Sequence, residues 1–196
     1  MQAIFLDIET TGLDAMIHRP IDVAFQVVNI TTGRKDGSYQ STVKQSKEVW
    51  EKADPVSLQV NGYTWEQTSL GKDPDTVGLE IVSLLTELKV ARGSAVFICQ
   101  NPAFDRGFFT QLVDVYTQER LNWPYHWLDF ASMYWALLVK KSLQNGVPFP
   151  DRLNLSKNEI AKTFQIPEEE RPHRAMKGVD HLMTCYQALL GVKFQD

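Results

Sequence analysis

Met1 to Ile8 is a short run of mostly apolar, β-forming residues, and its carboxyl end carries two acids, Asp7 and Glu9, on either side of Ile8. Such a run predicts a buried strand, and residues two apart in a strand project from the same face. Two neighbouring carboxylates on a strand otherwise made for a core are costly, because each raises the pKa of the other unless a cation neutralises them. Hard oxygen donors of this kind suit Mg²⁺ or Mn²⁺. The plainer alternative is that both side chains are hydrated at the end of the strand. With 24 acidic residues among 196, an acid-x-acid triplet arises by chance about three times, so the pair needs support from the rest of the chain.

The chain predicts an α/β layered domain. Ile21 to Ile30 alternates as a second strand, and turn residues from Thr31 to Gly37 lead to a third over Ser38 to Lys44, completing an antiparallel meander. After an irregular stretch, Asp73-Pro74 precedes Val77, Ile81, Leu84, Leu85 and Leu88, one face of a helix. Ser94 to Cys99 reads as a buried strand. Asn101-Pro102 offers an N-cap and a proline at the first helical position for a helix running to about Arg120. Further helices are predicted over Asp129 to Lys141, after the Ser156-x-x-Glu159 capping spacing, and along the apolar stripe from Val179 to Leu190. Three strands followed by alternating helix and strand give an α/β fold. At this length one core suffices, so residues 1–196 are read as a single domain. Trp123, Trp127 and Trp135 fit core packing.

Composition narrows the function classes. A hydrophobic share of 43% with 22% charged residues excludes a disordered chain and a disulfide scaffold. Cys99 and Cys185 lie in apolar surroundings, as free thiols do in a reducing compartment. No apolar run approaches a membrane span, and Asp7 arrives before any signal-like segment, so a cytoplasmic protein is expected. The net charge is −4, with the basic excess confined to residues 140–177 at +3. That balance argues against binding a polyanion by bulk electrostatics; any nucleic acid must be held at a site.

The residues around the acidic pair sharpen this. Asp7-Ile8-Glu9-Thr10-Thr11-Gly12-Leu13-Asp14 resembles the first motif of the DEDDh family of 3′→5′ exonucleases, which includes polymerase proofreading subunits, RNase T-like enzymes and oligoribonucleases. Asn101-Pro102-Ala103-Phe104-Asp105 is similar to the second motif, an Asn-x-x-Phe-Asp segment opening a helix after a strand. Val60-Asn61-Gly62, Trp127-Leu128-Asp129 and Leu155 to Ile166 are weaker echoes in the family order, so the resemblance spans about residues 3–190. It implies a ribonuclease H-like fold with a mixed five-stranded sheet flanked by helices.

The third motif departs from the pattern. The family has His-x-Ala-x-x-Asp; here His173-Arg174-Ala175 matches, but Gly178 stands at the Asp position and Asp180 comes two residues later. An insertion that brings Asp180 into the site is the favoured reading. In the gapless alternative Asp180 turns about 200° away, and His181 is a candidate replacement ligand.

The resemblance implies a metal-dependent 3′→5′ exonuclease that releases nucleoside 5′-monophosphates from a 3′ end, single-stranded by expectation, with a polymerase or a second copy as possible partners. Asp7, Glu9, Asp105 and Asp180 are the implied ligands of two divalent cations, Mg²⁺ or Mn²⁺, with Asp7 between them. His173 is the implied general base, expected in a mobile charged loop. Thr11, Gly12, Leu13, Asn61 and Phe104 are the candidates for holding the terminal nucleotide, and Arg174 and Lys177 for the phosphate path. Two other readings stay open: an exonuclease-fold binding or accessory module that has lost turnover, motivated by Gly178, and a hydrolase using Asp7 and Glu9 as a carboxylate pair. The last fits poorly, since neighbours on one strand face do not flank a bond from opposite sides.

Overall fold

The computed structural model describes residues 1–195. Its sheet is built from β1 (Gln2–Thr10), β2 (Pro20–Asn29), β3 (Lys35–Thr42), β4 (Ala95–Cys99) and β5 (Trp127–Asp129) in the order β3-β2-β1-β4-β5. β1 and β2 pair antiparallel, as do β2 and β3, whereas β4 and β5 run parallel to β1 and to each other. This is the expected mixed five-stranded sheet.

Helices cover both faces. In chain order they are α1 (Lys47–Glu51), α2 (Pro55–Asn61), α3 (Trp65–Ser69), α4 (Pro74–Glu87), α5 (Pro102–Phe109), α6 (Val115–Arg120), α7 (Phe130–Asn145), α8 (Lys157–Thr163) and α9 (Ala175–Leu190). Strand alternation sorts the core into two. Ile4, Leu6 and Ile8 face the side where Val77, Ile81 and Leu85 of α4 and Phe108 and Phe109 of α5 pack. Ala3 and Phe5 face the other, against Tyr134 of α7, Ile160 of α8 and Val179 and Leu182 of α9. Asp7 and Glu9 continue the Ala3–Phe5 row, so they emerge under the start of α9. The ladder between β1 and β4 stops at Phe5 opposite Ile98, leaving the carboxyl end of β1 free on that side. A crevice outside the carboxyl ends of parallel strands is where open α/β sheets place their ligands.

Several boundaries differ from the expectation. The helix predicted from Pro102 to Arg120 is two helices, α5 and α6, because Asp114 accepts hydrogen bonds from the Tyr116 and Thr117 amides and starts a new helix. Asn101 makes no side-chain cap; it sits in the left-handed region at φ 59°, and its N–H is bound by Asp129 Oδ1 at 3.1 Å. The stretch treated as irregular holds α1 to α3, whose short lengths leave no apolar periodicity but which are capped by Ser46, Asp54 and Thr64. Trp123 is buried and Trp127 stacks on Phe97 with centroids 4.1 Å apart, but Trp135 is 47% exposed and packs beside Phe149. Cys99 and Cys185 are buried free thiols. Among the described residues no helix is long and apolar enough to cross a membrane.

Phe97, fully buried, contacts Trp127 and Phe109 and locks β4 to β5. Phe97→Ala is expected to lower the unfolding free energy by about 3–5 kcal/mol, seen as a lower urea midpoint at an unchanged slope.

Candidate active site

Asp7, Glu9 and Asp105 converge on one cavity of about 290 Å³, which also touches Phe104, Lys157, Glu169 and His173. Three elements deliver the acids. β1 supplies the first two from adjacent same-face positions, and the sharp turn at Asn101 lets α5 begin at once, so that Asp105 reaches the Ile8 amide, which donates to its carboxylate. Asp105 is only 3% exposed.

The electrostatics show what these groups lack. Burial first, and then mutual repulsion against a partial offset from Lys157, pushes Asp7 up to about 6 and Glu9 up to about 8, and raises Asp105 well above the usual carboxylate range. Crowded oxygen donors whose ionised forms are this disfavoured fit a divalent cation, which would hold them ionised. Burial also depresses His173, whose Nε2 is shut off from solvent and has no hydrogen-bond partner. The His173 amide donates to Val60 O at 3.1 Å, and Glu169 four residues earlier is buried, so the loop expected to be loose is packed at both points.

The third-motif expectation is corrected. Asp180 does not join the other acids: it lies at the surface and its Oδ1 accepts a 2.5 Å hydrogen bond from Gln26 Nε2 on β2. His181 does not replace it, since its Nε2 is 2.8 Å from Pro167 O. The residue that meets Asp7 is Gly178, where a Cβ would lie 2.6 Å from Asp7 Cγ. The helical phase is therefore gapless, and two residues further on Asp180 points elsewhere.

The candidate nucleotide-binding residues divide. Phe104 lines the cavity, half-buried. Thr11 is fully buried, its Oγ1 accepting from the Arg19 amide, and Gly12 packs under the His18 ring, so both shape the loop after β1. Leu13 projects into solvent, 73% exposed. Asn61 is buried with both ends of its amide engaged, Nδ2 donating to Thr10 O at 3.0 Å and Oδ1 accepting from the Tyr63 amide at 3.1 Å. It anchors α2 to the end of β1 and has little left for a ligand. Gly62 follows in the left-handed region at φ 62°, with a Cβ position 2.8 Å from Pro172, so the His173 loop rests on a turn that favours glycine. Arg174 stacks over the Tyr63 ring at 4.1 Å and donates to Asn61 O; Lys177 pairs with Glu170 at 2.6 Å.

Two residues of the site were not anticipated. Lys157, at the first position of α8, extends Nζ to 2.7 Å from Glu169 Oε2, 3.2 Å from Gly178 O and 3.9 Å from Asp7 Oδ1. Gln100 brings it there, its Nε2 donating to Leu155 O at 2.8 Å. Glu169, Glu9 and His173 offer ligand atoms that all lie within 4.8 Å of one another. The sequence signal was a run of three glutamates, which looks like a solvated loop.

No protein-family model matches the chain, and no curated protein matches it in sequence. Solved structures do. The zinc-bound form of Escherichia coli exonuclease I with single-stranded DNA is 17% identical at a TM-score of 0.75, covering 96% of this chain and 40% of its own. Cell-death related nuclease 4 is 14% identical at 0.71, covering 97% and 64%. The nuclease domain of 3′hExo, a DEDDh family member bound to rAMP, is 13% identical at 0.68, covering 99% and 94%. The chain thus spans about two fifths of exonuclease I and nearly the whole of the 3′hExo nuclease domain. At these identities the likeness establishes architecture: the chain has the ribonuclease H-like fold shared by 3′-exonucleases.

Proposed function

We propose that this chain is a metal-dependent 3′→5′ exonuclease that hydrolyses the terminal phosphodiester of a single-stranded nucleic acid and releases nucleoside 5′-monophosphates. The observation that carries the reading is the convergence of Asp7, Glu9 and Asp105 with His173 on one cavity at the carboxyl end of β1. The three acids would hold divalent cations, Mg²⁺ or Mn²⁺, which when bound would neutralise charge on the phosphate and acidify a water. Asp7, Glu9 and Asp105 are the side chains that would hold such ions, with Asp7 lying beside both of the other acids. Burial lowers the His173 pKa, and its imidazole would take the proton of the attacking water. Phe104 provides an apolar wall on which the terminal base stacks.

Gly178 favours a second reading, a nucleic-acid-binding module without turnover, because no side chain enters from that point of α9. Kinetics separates the two. The exonuclease reading expects a 3′-labelled oligonucleotide to be shortened with Mg²⁺ or Mn²⁺ and preserved in EDTA. Asp7→Ala should abolish cleavage, and His173→Ala should slow it by about 10²–10⁴-fold with substrate affinity retained. An intact oligonucleotide under every condition supports the module.

The raised carboxylates give a second measurement. Asp7 and Glu9 bind protons more tightly folded than unfolded, since about 6 and about 8 exceed the ordinary 3.8 and 4.5. Metal-free protein should therefore lose stability as pH rises from about 4 to about 8. A cation that replaces the protons restores it, so the rise in melting temperature on adding Mg²⁺ is expected to be larger near pH 8.5 than near pH 5, and to vanish in Asp7→Ala.

A further inference from the structure

We propose that Glu169 is the fourth acidic metal ligand of this site, replacing the carboxylate that position 178 does not provide. The inference rests on the exonuclease reading and names the residue that completes its metal centre.

Gly178 marks the point on α9 from which a side chain would enter, because a Cβ there would press on the Asp7 carboxylate. Asp180 and His181 are both engaged outside the cavity, by Gln26 and by Pro167 O. Glu169 arrives from the opposite flank of His173. Of three consecutive glutamates, Glu168 and Glu170 are exposed and pair with Lys162 and Lys177, while Glu169 alone turns inward and is 9% exposed. It is held in that pose at two points. Its amide donates to Asn158 Oδ1 at 3.0 Å, and its Oε2 receives Lys157 Nζ at 2.7 Å. The same ammonium donates to Gly178 O at 3.2 Å, so Lys157 bridges the acid to the very place where α9 offers none.

Position decides between a ligand and a mere ion-pair partner. A carboxylate serving only Lys157 gains nothing by approaching Glu9, since like charges at short range disfavour each other. Yet Glu169, Glu9 and His173 present ligand atoms within 4.8 Å of one another, and His173 Nε2 there is buried without a partner. Exchanging an acid at 178 for one at 169 keeps four acids around the cavity: Asp7, Glu9, Asp105 and Glu169. Four acidic oxygen donors suit two hard cations better than three do.

The test is Mn²⁺ binding to the full chain, followed by electron paramagnetic resonance and calorimetry, with circular dichroism to check folding. Glu169→Ala is expected to weaken one Mn²⁺ by at least tenfold, and Glu169→Gln to do the same should the alanine variant fold poorly. Asp180→Asn should leave binding as in the parent chain, so that the lost ion is specific to Glu169. Adding Lys157→Met to Glu169→Ala should not recover it. Unchanged Mn²⁺ binding in both Glu169 variants overturns the proposal. So does full recovery in the Lys157→Met double variant, which would make Glu169 only a restraint on the ammonium. If the parent chain binds no Mn²⁺, or Asp7→Ala leaves its binding intact, the exonuclease reading itself fails; loss of the Glu169 effect alone leaves that reading standing.

Discussion

Four carboxyl groups share one cavity with a single buried ammonium, and much of the molecule serves to hold them in that unfavourable proximity. β1 is the middle strand of the sheet and is covered on both faces, so the backbone that carries Asp7 and Glu9 is fixed at the cavity. α5 starts from a left-handed residue, which aims Asp105 inward from its first turn. Structural acids are normally hydrated or paired; packing several together with one counter-charge is an arrangement that a divalent cation relieves. The cavity is a local instability maintained by a well-packed core.

The parts legible in the sequence were those whose signal is local. The apolar run ending in Asp7 and Glu9 revealed both a strand and a shared face, and the Asn101 to Asp105 segment placed its acid by proximity to a helix start. Strand β4 and helices α4, α7 and α9 followed from burial patterns or caps. Less legible were elements too short to show a period. α1 to α3 have five to seven residues each and few buried side chains, so caps alone define them.

The site was misread where a role depends on partners far along the chain. Asp180 looked suitable by composition, yet its direction is set by the phase of α9, which the contact between Gly178 and Asp7 fixes. Asn61 carries a side chain typical of ligand contacts, but Thr10 O and the Tyr63 amide consume it. Glu169 sat in a charged run that suggested hydration; its burial comes from Lys157 and Asn158, residues that no periodicity singles out. Where neighbours in space are remote in sequence, residue type alone says little about orientation.

Asp22 lies directly across the β1–β2 ladder from Glu9, is fully buried, and its Oδ2 accepts the amide of Ala175, the first residue of α9, at 3.0 Å. The two halves of the site, the strand that carries the acids and the segment that carries His173, are thereby stapled through one carboxylate. A tilt of α9 would be transmitted through that staple to the strand opposite Glu9. His173 and the acids are thus joined through Asp22, although they lie far apart along the chain.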